Sequence, residues 1–219
     1  MTEPAEAPVG AKKRDYWFTV LATDPVAVPL ARVLAARRVS PDAVTAVALL
    51  LGLAVGPVFA LGTRAALVAG AALFYLAFLF DCVDGKLARA LDVTSARGEA
   101  LDHLADGGRR ASAILGLAVF LWTSGDTRSD VWWIVVYAVL AYYFLEISGA
   151  DKPEPGAGLG GRWSRALARR RLLPNPGMPD VQAIVFVFGP LAGLVVPALA
   201  VGIAMVCAAI LLTVYRRLR

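Results

Sequence analysis

Apolar runs long enough to cross a bilayer recur along this chain, and the charged residues collect between them. A helix needs about 20 apolar residues to span the hydrocarbon core, where every backbone polar group must be satisfied within the segment. The runs fall at residues 43–61, 65–83, 111–122 (the apolar part of a helix that begins among acids), 131–147 and 181–215. The last is too long for one span, and Gly189-Pro190 and Pro197 offer breaks, so it reads as two helices with a tight turn near Val195 to Pro197. With 58% hydrophobic residues against 18% charged and a mean hydropathy of +0.65, the excess apolar surface is more than a soluble core of this length absorbs. The expected fold class is all-α integral membrane, with six transmembrane helices preceded by an N-terminal interfacial amphipathic helix.

That preceding helix is read from residues 24–38, where Val26, Leu30, Val33 and Leu34 recur at helical spacing with Arg32, Arg37 and Arg38 between them. This pattern suits a helix lying in the interface with its cations at anionic headgroups. Residues 1–15 carry Glu3, Glu6, Pro4 and Pro8 with no apolar stretch behind an N-terminal charge, so they read as a disordered tail and not as a signal peptide. Residues 16–219 then form one membrane domain. Cys82 and Cys207 both lie in apolar stretches and read as small buried hydrophobes.

The net charge of +5 matters through its distribution. Lys12, Lys13 and Arg14, then Lys86, Arg89, Arg97, Arg109 and Arg110, then Lys152, Arg162, Arg165, Arg169, Arg170 and Arg171, and finally Arg216, Arg217 and Arg219 all fall on one side of a six-span topology. Only Arg64 and Arg128 fall on the other. The positive-inside rule makes the first side cytoplasmic. The expected location is a cell membrane, multi-pass, with no nucleic-acid partner.

The chemistry is concentrated in residues 81–106. Asp81, Asp84, Gly85, Ala88 and Arg89 lie near one helical face, and Gly98, Asp102 and Asp106 stand at i, i+4 and i+8 on another. Antiparallel pairing of these two helices would bring four carboxylates together. Clustered hard oxygens suit Mg²⁺ or Mn²⁺, and two such ions would clamp a diphosphate. The alternative, a solvated helix end paired with Lys86, Arg89 and Arg97, is weaker because intramembrane carboxylates are functional by default. His103 points about 100° away from Asp102 on a helix and reads as an interfacial polar residue. Glu146 is the other acid that could face the cavity.

The string Asp81-x2-Asp84-Gly85-x2-Ala88-Arg89-x8-Gly98-x3-Asp102-x3-Asp106 resembles the signature of the CDP-alcohol phosphatidyltransferase family at every fixed position. The segment 40–45, ending in Thr45, is similar to the family's approach to its first membrane helix. The resemblance implies transfer of a phosphatidyl group from CDP-diacylglycerol to the hydroxyl of a small polar alcohol, with or without a phosphate of its own, and release of CMP. It implies two divalent ions on Asp81, Asp84, Asp102 and Asp106, with Asp106 as general base. The nucleotide would be shaped by Thr45, Asp81, Gly85, Ala88, Arg89 and Gly98. Arg109, Arg110, Arg162 and Arg165 are candidates for the acceptor, against the alternative of positive-inside anchors. A homodimer is implied as well.

Three other readings stand beside this one. A CDP-linked polar headgroup transferred to a lipid alcohol keeps the chemistry, and Gly85-Lys86 and Asp102-His103 are faintly similar to choline and ethanolamine phosphotransferases. Intramembrane prenyl transfer uses more spans and differently spaced acids. A metal-binding transporter without catalysis would place its acids near mid-membrane.

Overall fold

A computed structural model describes residues 10–93, 95–124, 127–148, 167 and 169–218. Its elements are helical: α1 (Thr19–Ala36), α2 (Pro41–Phe59), α3 (Arg64–Leu91), α4 (Ala96–Ser124), α5 (Val131–Ser148), α6 (Met178–Ala192) and α7 (Val195–Arg217). No strand occurs among the described residues. A lone parallel bridge joins Asp15 to Leu172.

Five helical stretches, Thr19–Ala36, Pro41–Phe59, Arg64–Leu91, Arg128–Ser148 and Val195–Arg217, are long and apolar enough to cross a membrane. The protein is a multi-pass membrane protein. α1 meets that criterion too, so length and composition do not mark it off as the amphipathic helix expected from sequence. α4 falls outside the five because charged residues fill its first half, and α6 because it is short. Apolar side chains left on the outside, such as Leu50, Leu115, Trp132, Val139 and Leu211, face where lipid lies.

α3 carries the signature because it runs well past its apolar half. Thr63 caps its start, accepting from the Ala66 N–H at 3.1 Å. It ends at Asp92, which takes a left-handed conformation (φ 53°) and donates its N–H to the Ala88 carbonyl. At 1.5 Å per residue its 28 residues span about 42 Å, enough to cross a bilayer and project the acid-bearing turns beyond it.

Direct pairing of the two acid-bearing helices, expected from sequence, is not the main packing. α2 lies against both α3 and α4 along its length, whereas α3 and α4 touch each other at few points. Small residues set this geometry. A Cβ at Gly116 of α4 would stand 2.3 Å from the Gly56 carbonyl oxygen of α2, and one at Gly52 would stand 2.9 Å from the Arg109 Cβ. The Gly52-x3-Gly56 spacing lets the two backbones meet. Pro57 lacks an N–H, which denies the Leu53 carbonyl its helical partner. Ser112 of α4 replaces it, donating to Leu53 at 2.7 Å and accepting from the Gly56 N–H at 2.9 Å.

The final apolar block does split, two residues earlier than expected. Gly193 takes φ 74°, and α7 begins at Val195, so Pro197 sits in its first turn where no N–H is needed. Arg64 at the start of α3 donates to the Leu191 carbonyl in the last turn of α6 and to the Pro190 carbonyl, which also accepts from the Gly193 N–H.

Residues on either side of the boundary expected at residue 15 are held by hydrogen bonds to the segment before α6 and to its first turn. Asp15 donates its N–H to Arg171 (2.9 Å) and accepts from Leu173 (3.0 Å), Trp17 donates its indole N–H to Leu173 (2.8 Å), and the Phe18 N–H donates to Asp180 (2.6 Å). Each backbone group used here lies between helices and would otherwise be unsatisfied.

Candidate active site

α3 and α4 bring the four aspartates into one cluster at the end of the bundle that holds most of the cations. Asp84 is buried, Asp81 and Asp106 are partly covered, and Asp102 is exposed. Asp81 is within electrostatic reach of Asp84, Asp102 and Asp106, and Asp84 of Asp102. α2 adds Thr45, which is buried, donates to the Pro41 carbonyl at 3.1 Å and lies beside the Asp84 carboxylate.

Arg109 occupies the middle of this cluster. Only 2% of its side chain is exposed; it pairs with Asp81 at 3.5 Å and with Asp106. Its guanidinium also lies 5.5 Å from the Phe74 ring centroid and 5.2 Å from that of Phe78, a cation–π arrangement that suits a desolvated arginine. Arg110 pairs with the other Asp106 oxygen at 2.9 Å and is 26% exposed. Of the two arginines that sequence put forward for the acceptor, Arg109 is thus turned into the acids and Arg110 stands at the open edge. Arg162 and Arg165 lie outside the described residues.

Among the described residues no three Asp, Glu, His or Cys side chains stand close enough together to hold a metal ion. The Arg109 guanidinium pairs with Asp81 and Asp106 in this arrangement. The donor chemistry nevertheless fits a hard divalent cation. Asp84 Oδ2 is a buried carboxylate oxygen with no hydrogen bond, and Asp81 Oδ1, also without one, has the Arg109 ion pair at 3.5 Å as compensation; a buried anion without hydrogen bonds is costly. Oxygen donors of that kind are what Mg²⁺ and Mn²⁺ take.

The expected nucleotide residues form the flank of the cluster. A Cβ at Gly85 would stand 3.4 Å from the Arg89 guanidinium, and one at Gly98 would stand 3.3 Å from Asp42 Oδ1. Arg89 is exposed and donates from Nε to the Gly10 carbonyl at 2.7 Å. Ala88 is half-buried on the same stretch of α3. His103 turns away, its Nδ1 3.0 Å from the Glu99 carbonyl, as its helical position predicts. Glu146 is exposed on α5 beside Tyr142 and does not join the acids.

Three participants escaped the sequence reading. Phe74 and Phe78 look like ordinary lipid-facing apolar residues, and only their i, i+4 spacing (one face, a turn before Asp81) hints at a shared partner. Asp42 lies against Gly98 and 4.0 Å from Arg97. Its signal was its place beside Thr45 in the segment already resembling the family.

Residues 38–215 match the family model described as CDP-alcohol phosphatidyltransferase. The chain belongs to that family. It is accordingly an enzyme, a transferase of phospholipid biosynthesis acting on a CDP-alcohol. Among the solved structures that share the transferase's fold are two of phosphatidylinositol phosphate synthase (PgsA1) from Mycobacterium tuberculosis. The one in complex with manganese and citrate is 23% identical, with a TM-score of 0.61 over 87% of this chain and 87% of that chain. The one with CDP-DAG bound is 23% identical, with a TM-score of 0.59 over 88% of this chain and 92% of that chain. No curated protein sequence matches the transferase.

Proposed function

We propose that this transferase moves the phosphatidyl group of CDP-diacylglycerol to the hydroxyl of a small polar alcohol and releases CMP. The carrying observation is the pairing of Asp81 and Asp106 with the buried Arg109, with Asp84 and Asp102 within electrostatic reach of it and with buried Asp81 and Asp84 oxygens left without hydrogen bonds. The four aspartates hold two divalent ions, Mg²⁺ or Mn²⁺; the manganese and the CDP-DAG in the M. tuberculosis synthase structures support this reading. When bound, the ions supply Lewis-acid charge to the diphosphate and to departing CMP.

The protein's own part follows from its side chains. Asp106 takes the proton of the acceptor hydroxyl as its oxygen attacks the phosphorus bearing diacylglycerol and the bond to CMP breaks. Arg109 and Arg110 engage both Asp106 oxygens, which fixes the carboxylate while each oxygen keeps a lone pair for that proton. Thr45, Gly85, Ala88, Arg89 and Gly98 shape the CDP site. Arg110, at the open edge, binds the phosphate of an acceptor that carries one.

We read α2–α7 as six membrane crossings, with α1 lying in the interface and the site opening to the cytoplasm. Cations of the segments before α2, between α3 and α4, before α6 and after α7 share one side, which supports that orientation. The working unit is a homodimer; chemical cross-linking in native membranes tests this.

The deciding experiment incubates purified protein with CDP-diacylglycerol, Mg²⁺ or Mn²⁺, and a panel of alcohols with and without phosphate, following CMP and the lipid product. CMP release with one alcohol is expected. Product from CDP-ethanolamine or CDP-choline and diacylglycerol instead would reverse the carriers. No CMP from any pair would end the reading.

A further inference from the structure

The segment before α1 is tied down beside the signature. Gly10 takes φ 77° and lies so close to α3 that a Cβ there would stand 2.4 Å from the Lys86 carbonyl oxygen. Its own carbonyl accepts from Arg89 Nε at 2.7 Å. Two residues on, the Lys12 carbonyl accepts from Arg171 at 2.9 Å, and that arginine is itself paired with Asp24 at 3.1 Å. Asp15 closes the segment through its bridge to Leu172.

These contacts are polar, and Lys12 and Lys13 remain exposed, so burial of apolar surface does not account for the docking. What the segment does achieve is placement. The carbonyl of Gly10 holds the guanidinium of a signature residue, and the Arg171 bond to the Lys12 carbonyl fixes the backbone two residues on, leaving the Lys12 side chain exposed and within electrostatic reach of Asp102. A positive side chain beside a carboxylate site is where an approaching diphosphate gains a charge-assisted contact.

We propose that residues 10–12 form a wall of the active site, in which Gly10 positions Arg89 for the CDP-alcohol and Lys12 contacts its diphosphate. This rests on the transferase reading above. Gly10 is a positioning residue; Lys12 is a substrate-binding one.

Steady-state kinetics with CDP-diacylglycerol and the accepted alcohol test it. Gly10→Val forces a side chain into both the left-handed φ and the Lys86 carbonyl. It should raise KM for the CDP-alcohol about tenfold, with kcat within about threefold and the acceptor KM unchanged. Lys12→Gln should raise the same KM severalfold and flatten its salt dependence, and Lys12→Arg should restore both. Lys13→Gln, one residue away, should match wild type. A wild-type CDP-alcohol KM in Gly10→Val and Lys12→Gln, or an effect confined to the acceptor KM, would overturn the proposal. A second measurement needs no turnover: trypsin cleavage after Lys12, Lys13 and Arg14 should slow when CDP-diacylglycerol and Mn²⁺ are added. Cleavage indifferent to them would overturn the wall, whereas protection without CMP release would leave the wall standing and remove the proposed phosphatidyl transfer from CDP-diacylglycerol.

Discussion

Two charged clusters are built into this bundle, and they are balanced in opposite ways. At one, Asp24 of α1 meets Lys86 at 2.9 Å and Arg171 at 3.1 Å, one carboxylate against two cations, with all three side chains at most 12% exposed. At the other, four carboxylates on α3 and α4 meet two guanidiniums, Arg109 and Arg110, and the cluster opens to solvent through Asp106 and Asp102. The first is closed and contains its own counter-charge; it clasps α1, α3 and the segment before α6. The second carries negative charge in excess and an opening through which positive charge can enter. Both include residues of the same stretch of α3, so the contrast comes from what the surrounding elements bring to it. A buried ion pair with its partners in place is neutral or modest in stability, but costly to break. A cluster with like charges in excess is held for what it binds.

If that contrast is right, the two sites should respond oppositely to loss of a carboxylate. The largest effect belongs to the open cluster: Asp106→Asn should lower kcat by about 10³-fold with the KM for CDP-alcohol nearly unchanged, as followed by CMP release. Near wild-type turnover would remove Asp106 as base. Chelation of divalent metal should likewise stop turnover, and Mn²⁺ or Mg²⁺ should restore it. In the same cluster, Asp102→Asn should also silence the enzyme while leaving the metal-free unfolding midpoint equal to or above wild type, because Asp102 is exposed and repelled by Asp106.

Next in size comes the clasp. Asp24→Ala leaves Lys86 and Arg171 buried without their carboxylate and should cost about 3–5 kcal/mol, seen as a lower unfolding midpoint in detergent. Lys86→Met should cost clearly less, since the Asp24–Arg171 pair survives. Equal losses from the two substitutions would show that the clasp does not act as a balanced triad. The smallest effect lies where no charge is involved: Ser112→Ala strips the Leu53 carbonyl of its substitute donor and should cost about 1 kcal/mol without changing the metal requirement.

The acids themselves were legible because their spacing is a covalent fact. Asp81 and Asp84 on one helix, and Asp102 and Asp106 on the next, can be placed on faces by counting at 100° per residue. The helical spans were legible for a similar reason: an apolar run of fixed length has one stable form in lipid. What counting could not supply was the neighbour across the gap. It predicted α3 against α4, whereas Gly52, Gly56 and Gly116 let α2 come between them and bring Thr45 and Asp42 to the site. Arg109 likewise carried two plausible roles in the sequence, a topology anchor or an acceptor contact. Its position against Phe74, Phe78, Asp81 and Asp106 depends on residues up to 35 positions away.

The sequence by itself determined that this is a bundle of membrane helices with a carboxylate-rich signature at one end, since composition and local periodicity depend only on residues near one another in the chain. The tertiary structure decided which helix stands between the acid-bearing pair, which arginine fills the cluster, and where residues 10–15 come to rest. Those outcomes are set by close backbone approach at glycines and by pairing of charges distant in the chain, and neither leaves a period in the sequence to be read.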